Sequence, residues 1–349
     1  MPNIFDLVTA TDIAAYWETF AEQRAPYLGE QLFPADKKLG LDLEWLNGNS
    51  GIPIVLNLSG FDANVIPRAR EGFSVNKAKM PFFKESLYID EELRQQLNMV
   101  LETGKQAYID VVMNRLFNDQ IRLIEAARAQ RERIRMSVLT SGAVSLASNG
   151  QAVSYDYGIP ATHKDTTAHT WGESGSNVIE DIREWQDIII SDTGVKPTRM
   201  VCNNTVWSQM LRDPAIKNTM YVYSSGVSVI SDSALRAFLA DQLGLTVYVN
   251  DKIYKNELGV KTKFVPDKTI ALFPEGQLGT SWFGTTPEES DLLGGSAANV
   301  AIVDTGVAVT TTKKTDPVNV ETKVSQIFLP SLESADQIFI AETEEETTT

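Results

Sequence analysis

The residues of this chain that could do chemistry are few: two histidines, one cysteine and a serine-bearing turn. His163 and His169 flank Asp165 in a Thr-rich stretch, and the three could be drawn as a metal site. They lack the i,i+4 helical spacing that gathers metal donors, and no third strong ligand stands nearby. Solvated loop histidines are the better reading. Gly172-Glu173-Ser174-Gly175-Ser176 resembles a nucleophile elbow, but Ser176 occupies the place where G-x-S-x-G needs glycine. Gly104-Lys105 lacks the upstream glycine of a phosphate loop, and no G-x-G-x-x-G occurs. Cys202 lies in an apolar strand pattern and reads as a packing residue. The expectation is no catalytic residue, no cofactor and no metal.

Composition narrows the function classes further. The 349 residues allow one to three domains, and 43% hydrophobic content can fill a real core. Thirty-one basic residues against 46 acidic give a net charge of −15. Phosphate contact is dominated by Lys and Arg, so this balance argues against specific nucleic-acid recognition or a membrane surface. A single cysteine excludes an intrachain disulfide and a cysteine cluster. Residues 1–23 hold no Lys or Arg, so the charged start of a signal peptide is not expected. No apolar run approaches the roughly 18 residues of a membrane span.

The elements that must organise the chain centre on residues 90–142. Asp90-Glu91-Glu92 opens a helical pattern through Leu93, Leu97 and Val100. A longer run follows, with Ile109, Val112, Met113, Leu116, Leu123, Ile124, Ala127, Ile134 and Val138 largely at three- and four-residue spacing. This predicts one apolar stripe, with Arg115, Asp119, Arg122, Arg128, Arg131 and Arg133 mostly on other faces. A single helix over 105–139 would be roughly 50 Å long at about 1.5 Å per residue. Such a helix either braces something extended or serves as the core helix of an α+β domain.

Before it, residues 1–38 read as an arm carrying a short amphipathic helix that starts at Thr11-Asp12 and runs through Ile13, Tyr16, Trp17 and Phe20. In residues 39–89, Leu39, Leu41, Leu43 and Trp45 alternate with mostly polar residues. Ile54, Leu56 and Leu58 alternate again, and Phe73 and Val75 lead back to Phe82 and Phe83. This predicts a two-stranded ribbon, which is only marginally stable alone and needs another surface to support it. After the helix, Ser148-Asn149-Gly150-Gln151 is a hairpin turn signal. Residues 158–176 look like a loop, and 177–273 alternate helix and strand. Residues 274–300 are Gly-, Ser- and Thr-rich, and strand patterns return from Val300 onward before a polar acidic tail.

Arm, ribbon, long helix, central α+β region and returning strand follow the order of the tailed-phage capsid fold. Four stretches carry a closer match: residues 59–72, with Val65-Ile66-Pro67-Arg68-Ala69-Arg70-Glu71-Gly72; residues 128–142 with the hairpin after them; Gly259-Val260-Lys261-Thr262-Lys263-Phe264-Val265-Pro266-Asp267-Lys268-Thr269; and Asp316-Pro317 onward to Phe339. In these the chain resembles the phage-lambda-type major capsid proteins, the major capsid protein E family. The resemblance implies an α+β shell subunit with the tailed-phage major capsid protein fold. Its parts would be an N-terminal arm (1–38), an extended β-ribbon loop (39–89) and a peripheral domain with the long spine helix (90–176). An axial domain (177–300) and a C-terminal return with the acidic tail (301–349) would complete it.

The same resemblance implies hexamers and pentamers in an icosahedral shell around double-stranded DNA, held without sequence-specific binding and without a membrane. Partners would be copies of itself, a scaffolding protein, a portal and a decoration protein. The chain would sit in the virion, after assembly in the host cytoplasm. Only about 38 residues precede the ribbon, so the scaffold is expected to be a separate protein. Arg68, Arg70, Glu71 and Gly72 at the ribbon tip are the candidate intersubunit contacts, although a solvated turn would explain them as well. Three alternatives remain open at this point: an encapsulin-like compartment shell, a non-shell phage protein such as a tail tube, and a soluble hydrolase using His163 or His169.

Overall fold

The computed structural model describes residues 9–21, 24–47, 74–89, 91, 95, 98–99, 102, 106–220, 229–295, 298–316 and 318–344. In chain order the elements begin with helices α1 (Ala10–Ala21) and α2 (Leu28–Leu32), then strands β1 (Ala35–Lys37), β2 (Asp42–Asn47), β3 (Ser74–Lys79) and β4 (Phe82–Ile89). Helix α3 (Gln106–Ser141) follows, then β5 (Ala143–Ser148), β6 (Gln151–Asp156) and β7 (Lys164–Thr166). Next come α4 (Val178–Thr193), β8 (Arg199–Cys202), α5 (Asn204–Arg212), α6 (Pro214–Met220), α7 (Asp232–Leu243) and β9 (Thr246–Val249). The chain ends with β10 (Ile253–Lys255), β11 (Lys261–Lys263), β12 (Thr269–Phe273), β13 (Ser281–Gly284), β14 (Asn299–Val303), β15 (Val307–Thr315), β16 (Val318–Pro330) and β17 (Phe339–Glu342).

Two compact units result. The first comprises Met1–Leu43, Lys77–Ile134 and Thr280–Ser331; the second comprises Glu44–Asn76, Arg135–Gly279 and Leu332–Thr349. These divisions differ from the boundaries read in the sequence. Residues 280–295 join the first unit because β13 pairs with β16, and the C-terminal strand joins the second because β17 pairs with β12.

The first unit is built on a six-stranded sheet in the order β1-β13-β16-β15-β14, with β4 also paired to β16. β13 and β4 share one edge of the long β16, Phe283 facing Phe328 in one case and Leu87 facing Thr322 in the other. Phe82 and Phe83 therefore belong to this sheet and not to the ribbon, because β16 offers eight residues of antiparallel pairing to β4. Helix α1 starts one residue earlier than its sequence suggested. Asp12 N–H donates to Thr9 Oγ1 at 3.2 Å and Thr9 N–H to Asp12 Oδ2 at 3.3 Å, a reciprocal cap. Its Ala10, Ile13 and Trp17 are buried with Val303, Val307 and Val309 of the sheet and Ile121 and Ile124 of α3. The helix of the predicted arm is thus a core element of this unit.

Helix α3 is 36 residues long, which makes it roughly 54 Å at about 1.5 Å per residue. Leu123, Ile124, Ile134 and Val138 are buried as their spacing predicts. Arg128 and Arg131 are not on a solvent face. Arg131 is 4% exposed and its Nη2 donates to Asp304 Oδ2 at 2.7 Å, while Arg128 grips Glu30 with two hydrogen bonds of 2.7 and 2.8 Å. Both carboxylates come from distant segments that reach the helix in the fold. Residues 90–105 lie mostly outside the described residues.

The second unit holds a five-stranded sheet in the order β7-β17-β12-β8-β9, mixed in direction, with β8–β9 and β7–β17 parallel. Strand β12 is buried along its whole length. Helices α4, α5 and α7 cover it through Ile182, Trp185, Val206, Trp207, Leu235 and Leu239. Each of these helices is capped by its own sequence: Asn177, Asn203 and Ser231 accept the N-terminal amides, and Gly194 and Gly244 close α4 and α7 in the left-handed region. The β5–β6 hairpin turns at Asn149 (φ 51) and Gly150 (φ 72), as the sequence signal required.

Candidate assembly surfaces

Most of the residues that could have done chemistry are engaged in structure. His163 is fully buried, which corrects the reading of a solvated loop histidine. Its Nε2 stands 3.0 Å from Asp192 Oδ2, and its ring lies 6.2 Å from that of Phe339. His169 is exposed. Asp165, between them in sequence, accepts the Trp185 indole N–H at 2.8 Å. Ser174 is exposed, whereas the neighbouring Ser176 donates its hydroxyl to Asp213 Oδ2 at 2.5 Å. Burial pushes the Cys202 thiol up to about 12, so it stays protonated and packs. Among the described residues no group of three or more His, Cys, Asp or Glu side chains could hold a metal ion. An open depression of about 580 Å³, lined by Thr140, Ser141, Lys164, Asp165, Thr166, Ile340 and Glu342, gathers no nucleophile with a base.

What the elements present instead is pairing surface. Strands β2 and β3 form a two-stranded ribbon, and neither has a second partner strand among the described residues. Its base is anchored: Leu43 and Trp45 are buried, the Trp45 ring lies 5.5 Å from Tyr157, and Met80 N–H donates to Leu41 O at 2.8 Å. Residues 48–73 lie outside the described residues, and so do Arg68, Arg70, Glu71 and Gly72 at the predicted tip. Among the described residues strand β4 pairs only with β16, and it exposes Phe82, Leu87 and Tyr88.

A third surface has no counterpart in the sequence reading. Strands β10 and β11 form an antiparallel hairpin with Tyr254 opposite Thr262 and Lys255 opposite Lys261. Side chains alternate between faces along a strand. One face carries Tyr254 and Thr262, with the Tyr254 ring 4.9 Å from that of buried Phe264. The other carries Ile253, Lys255, Lys261 and Lys263, and Leu258 stands at the tip. The available signal was Asn256 followed by Gly259 between two lysine-bearing segments, a turn between short strands.

The charged groups of the first unit are engaged in pairs within it. Asp304 accepts from Arg131 and, at 3.1 Å, from Trp17 Nε1. Burial opposes its ionisation, but the charge and hydrogen bond of Arg131, the Trp17 N–H and Arg128 outweigh it and hold the carboxyl below the usual range. Glu288 is buried too, yet Lys323 at 2.6 Å and Ser325 at 2.9 Å also keep it below the ordinary value.

A family model described as phage major capsid protein E matches residues 9–343. Among curated protein sequences, none matches the chain. Solved structures share the fold. A protein described as the capsid protein of an E. coli CFT073 prophage is 16% identical, with a TM-score of 0.60 over 96% of this chain and 99% of that one. A phage-related protein from Bordetella bronchiseptica RB50 is 12% identical, with a TM-score of 0.55 over 98% and 99%. A chain of the cyanophage A-1(L) capsid is 9% identical, with a TM-score of 0.52 over 91% and 92%.

Proposed function

Because the chain belongs to the phage major capsid protein E family, we propose that it closes an icosahedral shell around double-stranded DNA by assembling with itself into hexamers and pentamers. The family match across nearly the whole chain carries this reading. It makes the protein a structural component of the phage particle and not an enzyme. The pairing surfaces support the finer part, since a two-stranded ribbon and a singly paired β4 both gain burial and hydrogen bonds from a neighbouring copy.

In this reading the loop that leaves through β2 and returns through β3 lies across a neighbour, with Arg68, Arg70, Glu71 and Gly72 in that contact. The first unit, with α3 as its spine, is the peripheral part. Residues 177–279 of the second unit are the axial part that meets its copies around the symmetry axes. Each surface ion pair is worth only about 0–1 kcal/mol, but a closed symmetric lattice repeats it in every copy. Assembly would take place in the host cytoplasm with a scaffolding protein and a portal, and a decoration protein would bind the finished shell. The net charge of −15 suits an inner wall that holds DNA without gripping it. No helix among the described residues is long and apolar enough to cross a membrane.

Negative-stain microscopy of the full-length chain, purified alone and after co-expression with its scaffold, tests the proposal. Closed shells or five- and six-membered rings are the expected result. A monomer at high concentration with scaffold present would overturn it.

A further inference from the structure

The outward face of the β10–β11 hairpin is electrostatically incomplete. Lys255 and Lys261 stand directly opposite each other, and like charges in that position weaken strand pairing. Neither ammonium is paired with a carboxylate among the described residues. Apolar surface flanks them, with Ile253 and Val260 each 56% exposed and Leu258 86% exposed. The tip is nevertheless built. Asn256 Oδ1 accepts from Leu258 N–H at 3.0 Å and from Val260 N–H at 2.9 Å, and Gly259 takes the left-handed conformation at φ +76°. An ordered turn therefore holds Leu258 in solvent in a chain that is otherwise strongly acidic.

Helix α4 offers the complement. Its inner face is buried through Ile182, Trp185 and Ile189. Its outer face presents Glu180, Glu184 and Asp187 at i, i+4 and i+7, with Arg183 between them. None of the three carboxylates is ion-paired among the described residues.

Resting on the capsid reading, we infer that the β10–β11 hairpin of one copy docks on the outer face of α4 in the next copy. Lys255 and Lys261 meet Glu184 and Asp187, and Leu258 is covered in the contact. Two different patches of one chain then face each other, which is a heterologous contact, and such contacts form rings where the rotation between copies closes. Double-stranded DNA is the competing occupant for the lysines. Phosphate contacts gain nothing from Leu258, Ile253 and Val260, so the hairpin's composition favours protein.

The test uses the full-length chain in sedimentation velocity and negative stain, with far-UV circular dichroism and a thermal melt as folding controls. Lys255→Glu with Lys261→Glu is expected to cut the ring and shell fraction at least tenfold, and so is Glu184→Lys with Asp187→Lys. Putting all four changes in one chain restores assembly, because the charges are complementary again. Leu258→Ser, which alters no charge, lowers the assembled fraction severalfold. If both reversed variants assemble like the parent chain, the inference is overturned and the capsid reading stands. Normal assembly of the lysine variant with loss of co-sedimenting double-stranded DNA also overturns it, and assigns the hairpin to the genome. If the parent chain is itself only a monomer, the capsid reading fails, and this inference with it.

Discussion

The two units fill their interiors by different chemistry. In the first, the sheet of β16 and its neighbours is tied to α3 and the N-terminal segment by ion pairs in which Arg131 is buried and Asp304, Arg128 and Glu30 are only partly open to water. Arg131 meets Asp304, Arg128 meets Glu30, and Glu132 accepts the Gly29 N–H at 3.1 Å. In the second, an aromatic stack runs from Trp171 through Trp185 to Phe339, with ring centroids 5.7 and 5.5 Å apart, over a sheet whose central strand is wholly buried. Its buried polar groups find both neutral and carboxylate acceptors: Gln186 donates to the Pro197 and Leu243 carbonyls, and Ser176 to Asp213. Apolar packing is non-directional and fails by leaving a cavity. A buried ion pair is directional and fails when one partner is lost. A shell subunit that must meet its copies at a set angle gains more from the directional kind in the unit carrying its long helix.

The largest effect should come from the apolar side of this contrast. Trp185→Ala removes the middle of the stack and strands Asp165 without its indole donor, so it should destabilise the chain by about 3–5 kcal/mol, read from the denaturant midpoint of the second unit. A loss below ~1 kcal/mol would mean that the stack is not the organising feature of that core. Asp304→Ala should follow. It leaves the Arg131 guanidinium buried and unpaired, but Asp304 is itself partly open to water with 32% of its side chain exposed. The cost is accordingly about 1–3 kcal/mol. Replacing both partners, as Arg131→Met with Asp304→Leu, should recover most of that loss. A double variant as unstable as the single one would show that the pair does more than satisfy itself.

Acid acts with opposite sign on Asp304 and Glu288 of the first unit and on Asp181 of the second. Asp304 and Glu288 have folded values below their ordinary ones. Their unfolded forms bind protons first, so their contribution is present above the unfolded value, about pH 4, and is lost as pH falls through the folded values. Asp181 of the second unit goes the other way. Burial raises it, Asp213, Asp165 and Glu184 add to the rise, and the Trp171 N–H only partly offsets it. Its folded form binds the proton more tightly, so it opposes folding at neutral pH and ceases to do so as pH falls toward the unfolded value. Hydrogen-exchange mass spectrometry at pH 6 and pH 3.5, corrected for intrinsic rates, should show protection lost first in β13–β16 while α4 keeps its own. Simultaneous loss in both units would contradict this.

Local chemistry explains what could be read before the fold was seen. Asn149-Gly150 specifies a hairpin turn through its own backbone preference, and Ser231 and Gly244 bound α7 for the same reason. The family was legible because stretches such as 59–72 keep their order along the chain. The pairing of Arg131 was not legible because its partner lies 173 residues away, so no window of the sequence contains both. Strand β13 went unread because four residues, Ser281–Gly284, show no alternation, and their pairing comes from β16. His163 was taken for a solvated residue because Asp192 and Phe339 reach it only in the folded chain. As for the assembly surfaces, the ribbon was read from its alternation. The β10–β11 face was missed, because lysines at alternate positions look like any solvated strand until the register sets Lys255 against Lys261.

The smallest effect is expected at Gly150, one of two glycines of the second unit that share a backbone conformation and differ in surroundings. Gly142, which follows α3, and Gly150, in the β5–β6 turn, have φ of 71° and 72°. At Gly150 an added Cβ meets nothing within 4 Å, so Gly150→Ala carries only the left-handed strain, about 1 kcal/mol. At Gly142 the same Cβ would stand 2.8 Å from Ile159 Cδ1. Gly142→Ala therefore adds overpacking to the strain, roughly 1–3 kcal/mol more, although Ile159 can move its flexible end. The difference between the two melts isolates packing from backbone strain within one unit. Equal losses would mean that the second unit yields around Ile159, and that its apolar interior is softer than the aromatic stack implies.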